Sequence, residues 1–244
     1  MPALNAIVLT SSARAAASLT DAERDAMHAL MTEHYEAVPR ERFDADLARK
    51  DEVLMLHDEA GKLRGFTTLA WNPAGVLPEG DILFSGDTII DRSCWGTQEL
   101  VRAFCRRAGE RRAVSGRRLF WFLLSKGHRT YLYLPLFARR FHPHPDQQEP
   151  AWEELASRVA RGLFGDAWKP DEGVIRFPAS HGHLRGDIAA SSQERRQNPW
   201  VRFFLKRNPG YASGEELVCL TEMRADNLRR GALAAFREGC AEEP

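Results

Sequence analysis

Alternating and helical hydrophobic patterns can be followed along most of the 244 residues. LNAIVLTSS (4–12) alternates weakly and predicts a first strand. Thr20, with Glu23 three residues later, has the form of a capping box, and Met27, Leu30, Met31, His34 and Tyr35 then mark one apolar face. A helix is therefore predicted from Thr20, with Pro39 as its stop. Phe43 and Leu47 indicate a second, short helix, and DEVLMLHDEAGKLRGFTTLAW (51–71) has two β-rich runs on either side of the turn EAGK, a β-hairpin. After the loop NPAGVLPEG (72–80), DILFSGDTIID predicts a fourth strand and the residues from Thr97 a helix. RRLFWFLLS (117–125) is apolar on both faces and reads as a fifth strand at the centre of a sheet. YLYLPLFARRF predicts a short helix broken or begun near Pro135.

The later pattern predicts a helix over AWEELASRVARGLFG (151–165), a strand over EGVIRFPAS (172–180) and a polar connection over 181–197. PWVRFFLKRNPGYASGEELVCLTEM (199–223) reads as two strands around NPGYASG, and ADNLRRGALAAFREG as a closing helix. No repeat or low-complexity segment interrupts this order, so the chain is treated as one domain with an elaborated C-terminal half.

Composition supports a folded chain. At 43% hydrophobic residues it can bury a sizeable core. No N-terminal stretch joins basic residues to an apolar run, and no run of 18 apolar residues occurs, so a soluble, cytoplasmic protein without membrane contact is expected. Cys94, Cys105, Cys219 and Cys240 lie far apart with no CxxC pair, which argues for reduced thiols rather than a zinc ribbon or disulfides. Net charge is zero, but its distribution is uneven. Residues 1–96 carry nine Lys/Arg against sixteen Asp/Glu, residues 97–140 eleven against two, and residues 141–244 fourteen against sixteen. The basic segment 97–140 can attract phosphate, CoA or nucleic acid, or serve as a solvated helix face.

That segment begins at a strand, a glycine turn and a helix start, 84-FSGDTIIDRSCWGTQELVRAF-104. Such a junction is a ready anion site, because the first backbone N–H groups of a helix lack partners and its dipole is positive there. Trp95, Gly96, Thr97 and Gln98 would supply those donors, Gly96 would permit a positive φ or a close ligand approach, and Arg92 and Arg102 could add charge-assisted contacts. In the alternative reading Thr97 or Ser93 caps the helix and Gly96 only fits the turn. Gly86 interrupts an apolar strand, as at a β-bulge or a close backbone approach.

The order β-α-α-β-β-β-α-β-α over residues 4–145, with Arg92-Ser93-Cys94-Trp95-Gly96-Thr97 at its turn, resembles the GNAT (acyl-CoA N-acyltransferase) superfamily as a divergent member. The family turn reads Q/R-x-x-G-x-G/A; here Arg92 stands one residue further from Gly96, and the second small position has no clean counterpart. The resemblance implies an α/β (α+β) fold with a mixed, mostly antiparallel central sheet flanked by helices, formed by residues 1–145. Residues 146–244 would complete that domain or pack on it. It implies acyl-CoA, acetyl-CoA or a longer acyl donor, as co-substrate bound by Gly86, Arg92, Trp95, Gly96, Thr97, Gln98 and Arg102. The bulge at Gly86 would open a slot for the pantetheine arm, with Asp87 as general base for an amine or, alternatively, hydrogen-bonded to a loop. A tyrosine after the fifth strand would protonate the leaving thiolate, and Tyr131 is expected in that role ahead of Tyr133. The acceptor would be a small-molecule amine or a protein, and the donor could be an acyl-carrier protein. A non-catalytic GNAT-shaped binding module and a nucleic-acid-associated protein using 97–140 stay open as alternatives, nucleic acid being the less expected partner. His142 with His144, and His181 with His183, could each join an aspartate, Asp146 or Asp187, around a metal, but loop histidines are the better reading and no metal is expected. Cys94 precedes a helix start without a Cys-His signature and is expected to be an ordinary thiol.

Overall fold

A computed structural model describes residues 7–178, 181–190 and 193–241. The ends of the predicted segments 4–12 and 172–180, and two residues within 181–197, lie outside the described residues.

Eight strands form one sheet: β1 (Leu9–Ala15), β2 (Glu52–Asp58), β3 (Leu63–Trp71), β4 (Asp81–Ile90), β5 (Leu119–Ser125), β6 (Trp168–Lys169), β7 (Val174–Ile175) and β8 (Glu216–Glu222). Their spatial order is β1-β2-β3-β4-β5-β8-β7-β6, and every pairing is antiparallel except β4 with β5. The sheet is thus mixed and mostly antiparallel, as expected, and β5, apolar on both faces, lies inside it. The hairpin β2–β3 closes where predicted: Asp58 Oδ1 accepts hydrogen bonds from the backbone N–H groups of Ala60 and Lys62 at 3.0 and 2.9 Å.

Helices cover both faces. On one, α1 (Asp21–Thr32), α2 (Arg40–Leu47) and α6 (Pro150–Phe164) bury Met27, Phe43 and Trp152 against the sheet. The capping box is present, with the Thr20 hydroxyl accepting from the Glu23 N–H and the Glu23 carboxylate accepting from the Thr20 N–H at 2.8 Å. On the other lie α3 (Glu99–Ser115), the short α4 (His128–Tyr131) and α5 (Tyr133–Phe137), α7 (Pro199–Arg207) and α8 (Arg230–Ala241), around Phe104, Trp121, Phe137, Phe204 and Phe236.

Two expectations are corrected. Residues 199–207 form α7, not a strand: the Asn198 side chain accepts from the Trp200 N–H at 2.9 Å, Pro199 occupies the first turn, and Val201 and Phe204 are buried one turn apart. The first helix ends at Thr32, and Tyr35–Glu36 instead pairs with His183–Leu184 as a separate two-stranded ribbon. That ribbon draws the segment after residue 181 over the end of the main sheet, where it meets the turn before α3.

Candidate functional site

The sheet opens between β4 and β5. Their parallel pairing runs from Asp81 with Leu119 to Ser85 with Leu123, and β4 continues to Ile90 paired with β3 alone. At the apex the Trp121 indole N–H donates to the Ser85 hydroxyl at 2.8 Å. Immediately beyond it, β4 bulges. Thr67 pairs with Thr88 and Leu69 with Ser85, so Gly86 and Asp87 together oppose Thr68. A Cβ on Gly86 would lie 2.5 Å from Thr68 Oγ1 and 2.6 Å from Lys50 Cε, so a side chain there would have to displace both neighbours.

Three hollows meet at this opening. A narrow slot between the strands is lined by Ser85, Gly86, Leu123, Tyr133 and Phe137. On the side of α1, α2 and α6 it gives onto a cavity of about 270 Å³ holding Asp87, Lys50, Lys126 and Glu216. Toward α3 it gives onto a cleft of about 710 Å³ lined by Trp95, Gly96, Thr97, Gln98, His128, Arg129 and Arg195. Thr88 and Thr130 line all three, so the hollows form one passage.

The cleft is built from unused donors. The backbone N–H groups of Gly96, Gln98, Leu100 and Val101 make no hydrogen bond within the described protein, the first intrahelical bond of α3 running from the Arg102 N–H to the Gln98 carbonyl at 2.9 Å. Gly96 has φ +96°, which an L side chain rarely adopts, and open space where a Cβ would stand. The Thr97 hydroxyl, one residue before the N-cap position, accepts from the Glu99 N–H at 3.2 Å. Trp95 is 40% exposed and lies between two guanidiniums, Arg129 at 4.3 Å and Arg92 at 5.9 Å from its ring. Burial, with Arg195 and then Arg92 nearby, pulls Arg129 below its ordinary pKa, and its Nε is buried without a hydrogen-bond partner. Two imidazole nitrogens on the same wall, His34 Nε2 and His128 Nε2, also lack partners. Burial first, then Arg129 and Arg195, brings the His128 pKa down to about 4.

The structure separates the sequence candidates. Gly86, Asp87, Trp95, Gly96, Thr97 and Gln98 line the connected hollows. Arg92 stands at the cleft edge, bound to Asp187 at 2.5 Å, which takes Asp187 out of any metal set. Arg102 is exposed on α3 and lines none of the three hollows. Tyr131 lines none of them either. It is fully buried, its hydroxyl donates to the Pro143 carbonyl at 2.8 Å, and its ring packs on Phe141, Phe203 and Phe204 away from the slot. Tyr133 lines both slot and cleft, stacked on Phe137 at 5.6 Å. His144 Nδ1 accepts from the N–H groups of Asp146 and Gln147, and His183 Nε2 faces Glu36 at 3.3 Å. Among the described residues no cluster of three His, Cys, Asp or Glu could hold a metal. Cys94 is buried beside Ser93.

Sequence reasoning missed Arg129 and Arg195, which are distant in the chain and meet only because the segment after residue 181 folds over the α3 turn. No helix among the described residues is long and apolar enough to cross a membrane.

No protein-family model matches this chain, and no curated protein does. Solved structures are similar at low identity. One is a conserved protein from Enterococcus faecalis described as a "probable N-acyltransferase", at 13% identity over 55% of this chain and 33% of that one, with a TM-score of 0.38. Another is a GNAT family N-acetyltransferase from Escherichia coli in complex with CoA, at 15% identity over 49% of this chain and 64% of that one, with a TM-score of 0.35. A third, from Klebsiella pneumoniae and provisionally assigned as an acyl-CoA N-acyltransferase, has 18% identity over 57% of this chain and 91% of that one, with a TM-score of 0.35. This chain therefore spans less than two thirds of the first two.

Proposed function

We propose that the protein transfers an acyl group from a CoA thioester to a primary amine. The observation that carries this reading is the passage through the split sheet, with unused N–H donors and arginines at one end and a half-buried carboxylate at the other. The four free amides at the α3 start, together with Arg129 and Arg195, suit the phosphates of CoA, and the slot beside the bulge suits its apolar arm. Bound there, the thioester supplies the acyl group and a thiol leaving group.

Asp87 is the base. It is half-buried, accepts no hydrogen bond within the described protein, and its pKa is raised by burial, against the lowering pull of Lys50 and Lys126. It takes a proton from the acceptor ammonium, and the freed nitrogen attacks the thioester carbon. A C–N bond forms as the C–S bond breaks, the departing sulfur takes the hydroxyl proton of Tyr133, and the second proton shed by the attacking nitrogen passes to solvent, from which Tyr133 regains its own. Burial raises the Tyr133 pKa, which keeps that hydroxyl protonated and able to donate. The products are an amide and free CoA. An acyl-carrier protein as donor is less well suited, because the cleft is lined by two arginines, Arg129 and Arg195, where a carrier arm offers a single phosphate. The nucleic-acid reading weakens too: six of the eleven basic side chains of 97–140 are ion-paired inside the protein, among them Arg107 with Glu52 and Arg118 with Glu222.

The test is amine-dependent release of CoA from acetyl- and longer acyl-CoA. Asp87→Asn is expected to reduce turnover by about 10²-fold or more. Because an acid with a raised pKa keeps its proton to higher pH, kcat/KM of the native enzyme is expected to climb with pH above the ordinary carboxylate range. In Asp87→Asn that limb is expected to vanish, and its survival would remove Asp87 from the reaction.

A further inference from the structure

The cavity around Asp87 holds more charge than proton removal needs. Arg42, Asp46 and Arg49 lie on its wall, and two lysines enter it, Lys50 after the end of α2 and Lys126 after the end of β5. Lys126 is committed: its ammonium contacts the Glu216 carboxylate at 3.2 Å and donates to the His181 carbonyl at 3.2 Å. Lys50 is not. Its ammonium donates to the backbone carbonyl of Asp46 at 3.1 Å and lies 5.4 Å from the Phe84 ring centre. Among the described residues no carboxylate is within ion-pair distance of Lys50, and no base is within that distance of Asp87. The side chain of Lys50 passes over Gly86, where a Cβ would meet its Cε at 2.6 Å, so the bulge places an unpaired ammonium beside an unpaired carboxylate. The opposite wall is apolar, with Phe84 edge-on to Phe164 at 6.2 Å and Phe164 edge-on to Phe177 at 6.1 Å.

Resting on the acyl-transfer reading of this cavity, we propose that the acceptor is a free amino acid with an apolar side chain, its amino group at Asp87 and its carboxylate at Lys50. Each unpaired charge then meets its opposite, and the phenylalanines receive the side chain. The volume of about 270 Å³ suits a small molecule. A diamine would set a second ammonium against Lys50, and a peptide side chain would bring no carboxylate to it, so the same lysine acts against both.

Calorimetric titration of the full chain without any acyl donor tests this independently of transfer. L-Phenylalanine is expected to bind about 10- to 100-fold more tightly than phenethylamine, the range for one hydrogen bond to a charged group. Lys50→Met is expected to abolish that preference, and Lys50→Arg to keep it. Should Lys50→Met not fold, the two ligands on the native protein still decide. Equal affinity for both, no binding of either L-phenylalanine or L-leucine, or a preference that survives in folded Lys50→Met would overturn the proposal. Amino-acid binding without acyl transfer would leave this assignment standing and remove the catalytic one.

Discussion

Two tyrosines two positions apart meet different fates, and the difference decides the chemistry assigned to each. Tyr131 spends its hydroxyl on the Pro143 carbonyl in a cluster of rings, while Tyr133 faces the slot. Tyr133→Phe keeps the ring and its stacking, so the expected loss is in turnover, about 10²-fold or more, with donor binding almost unchanged. Tyr131→Phe leaves a buried carbonyl without its donor and is expected to cost about 1–3 kcal/mol of stability with little effect on turnover. Steady-state kinetics and thermal unfolding of both variants check the pair; impaired turnover in Tyr131→Phe alone would reverse the assignment. The sequence offered both tyrosines but not the choice, because α4 and α5 are single turns, too short for a period to read, and α4 is oriented by packing against α7. Asp87 and Gly86 were legible, since a glycine and a carboxylate inside an apolar strand break its pattern.

At the scale of elements, the passage depends on how α3 is held, because its first turn supplies the donors. That helix packs on α8 at a very short distance: a Cβ on Gly109 would lie 2.1 Å from the Phe236 carbonyl oxygen, and one on Gly239 would lie 2.0 Å from that of Arg106. Neither contact can be relieved by moving a side chain end, so the helices must part. Gly109→Ala is expected to destabilise by about 1–3 kcal/mol despite alanine's better helix propensity, measured by denaturant unfolding. Unchanged or raised stability would mean that the two helices are not this close. The N-terminal elements were readable from local signals, as with the Thr20 capping box and the Asp58 turn. Residues 199–207 were not, because two adjacent phenylalanines and a valine suit either a strand or a helix; Asn198-Pro199 was the start signal that separated them.

For the whole molecule, the C-terminal half is what the sequence concealed most. β8 pairs with β5 along its length, from Leu217 with Ser125 to Glu222 with Phe120, and Glu222 accepts from Nε and Nη2 of Arg118 at 2.8 and 2.9 Å. The segment after residue 181 supplies Arg195 to the cleft and Asp187 to Arg92, so both halves build one site. Pairings of such sequence separation leave no local pattern, which is why the cleft's arginines could not be assembled from the chain alone. The proposed acyl transfer requires that this cleft, centred on the Gly96 turn, hold CoA. Thermal unfolding of the native protein and of Gly96→Val, with and without acetyl-CoA, tests it most directly, because valine cannot hold the φ of +96° that keeps the free amides facing the cleft. At 100 times its Kd the ligand is expected to stabilise the native protein by about 2.7 kcal/mol, a Tm rise of about 5–10 °C for a chain of this size, and to leave folded Gly96→Val unshifted. No shift of the native protein with acetyl-CoA or any longer acyl-CoA, or an equal shift in the folded variant, would contradict the account.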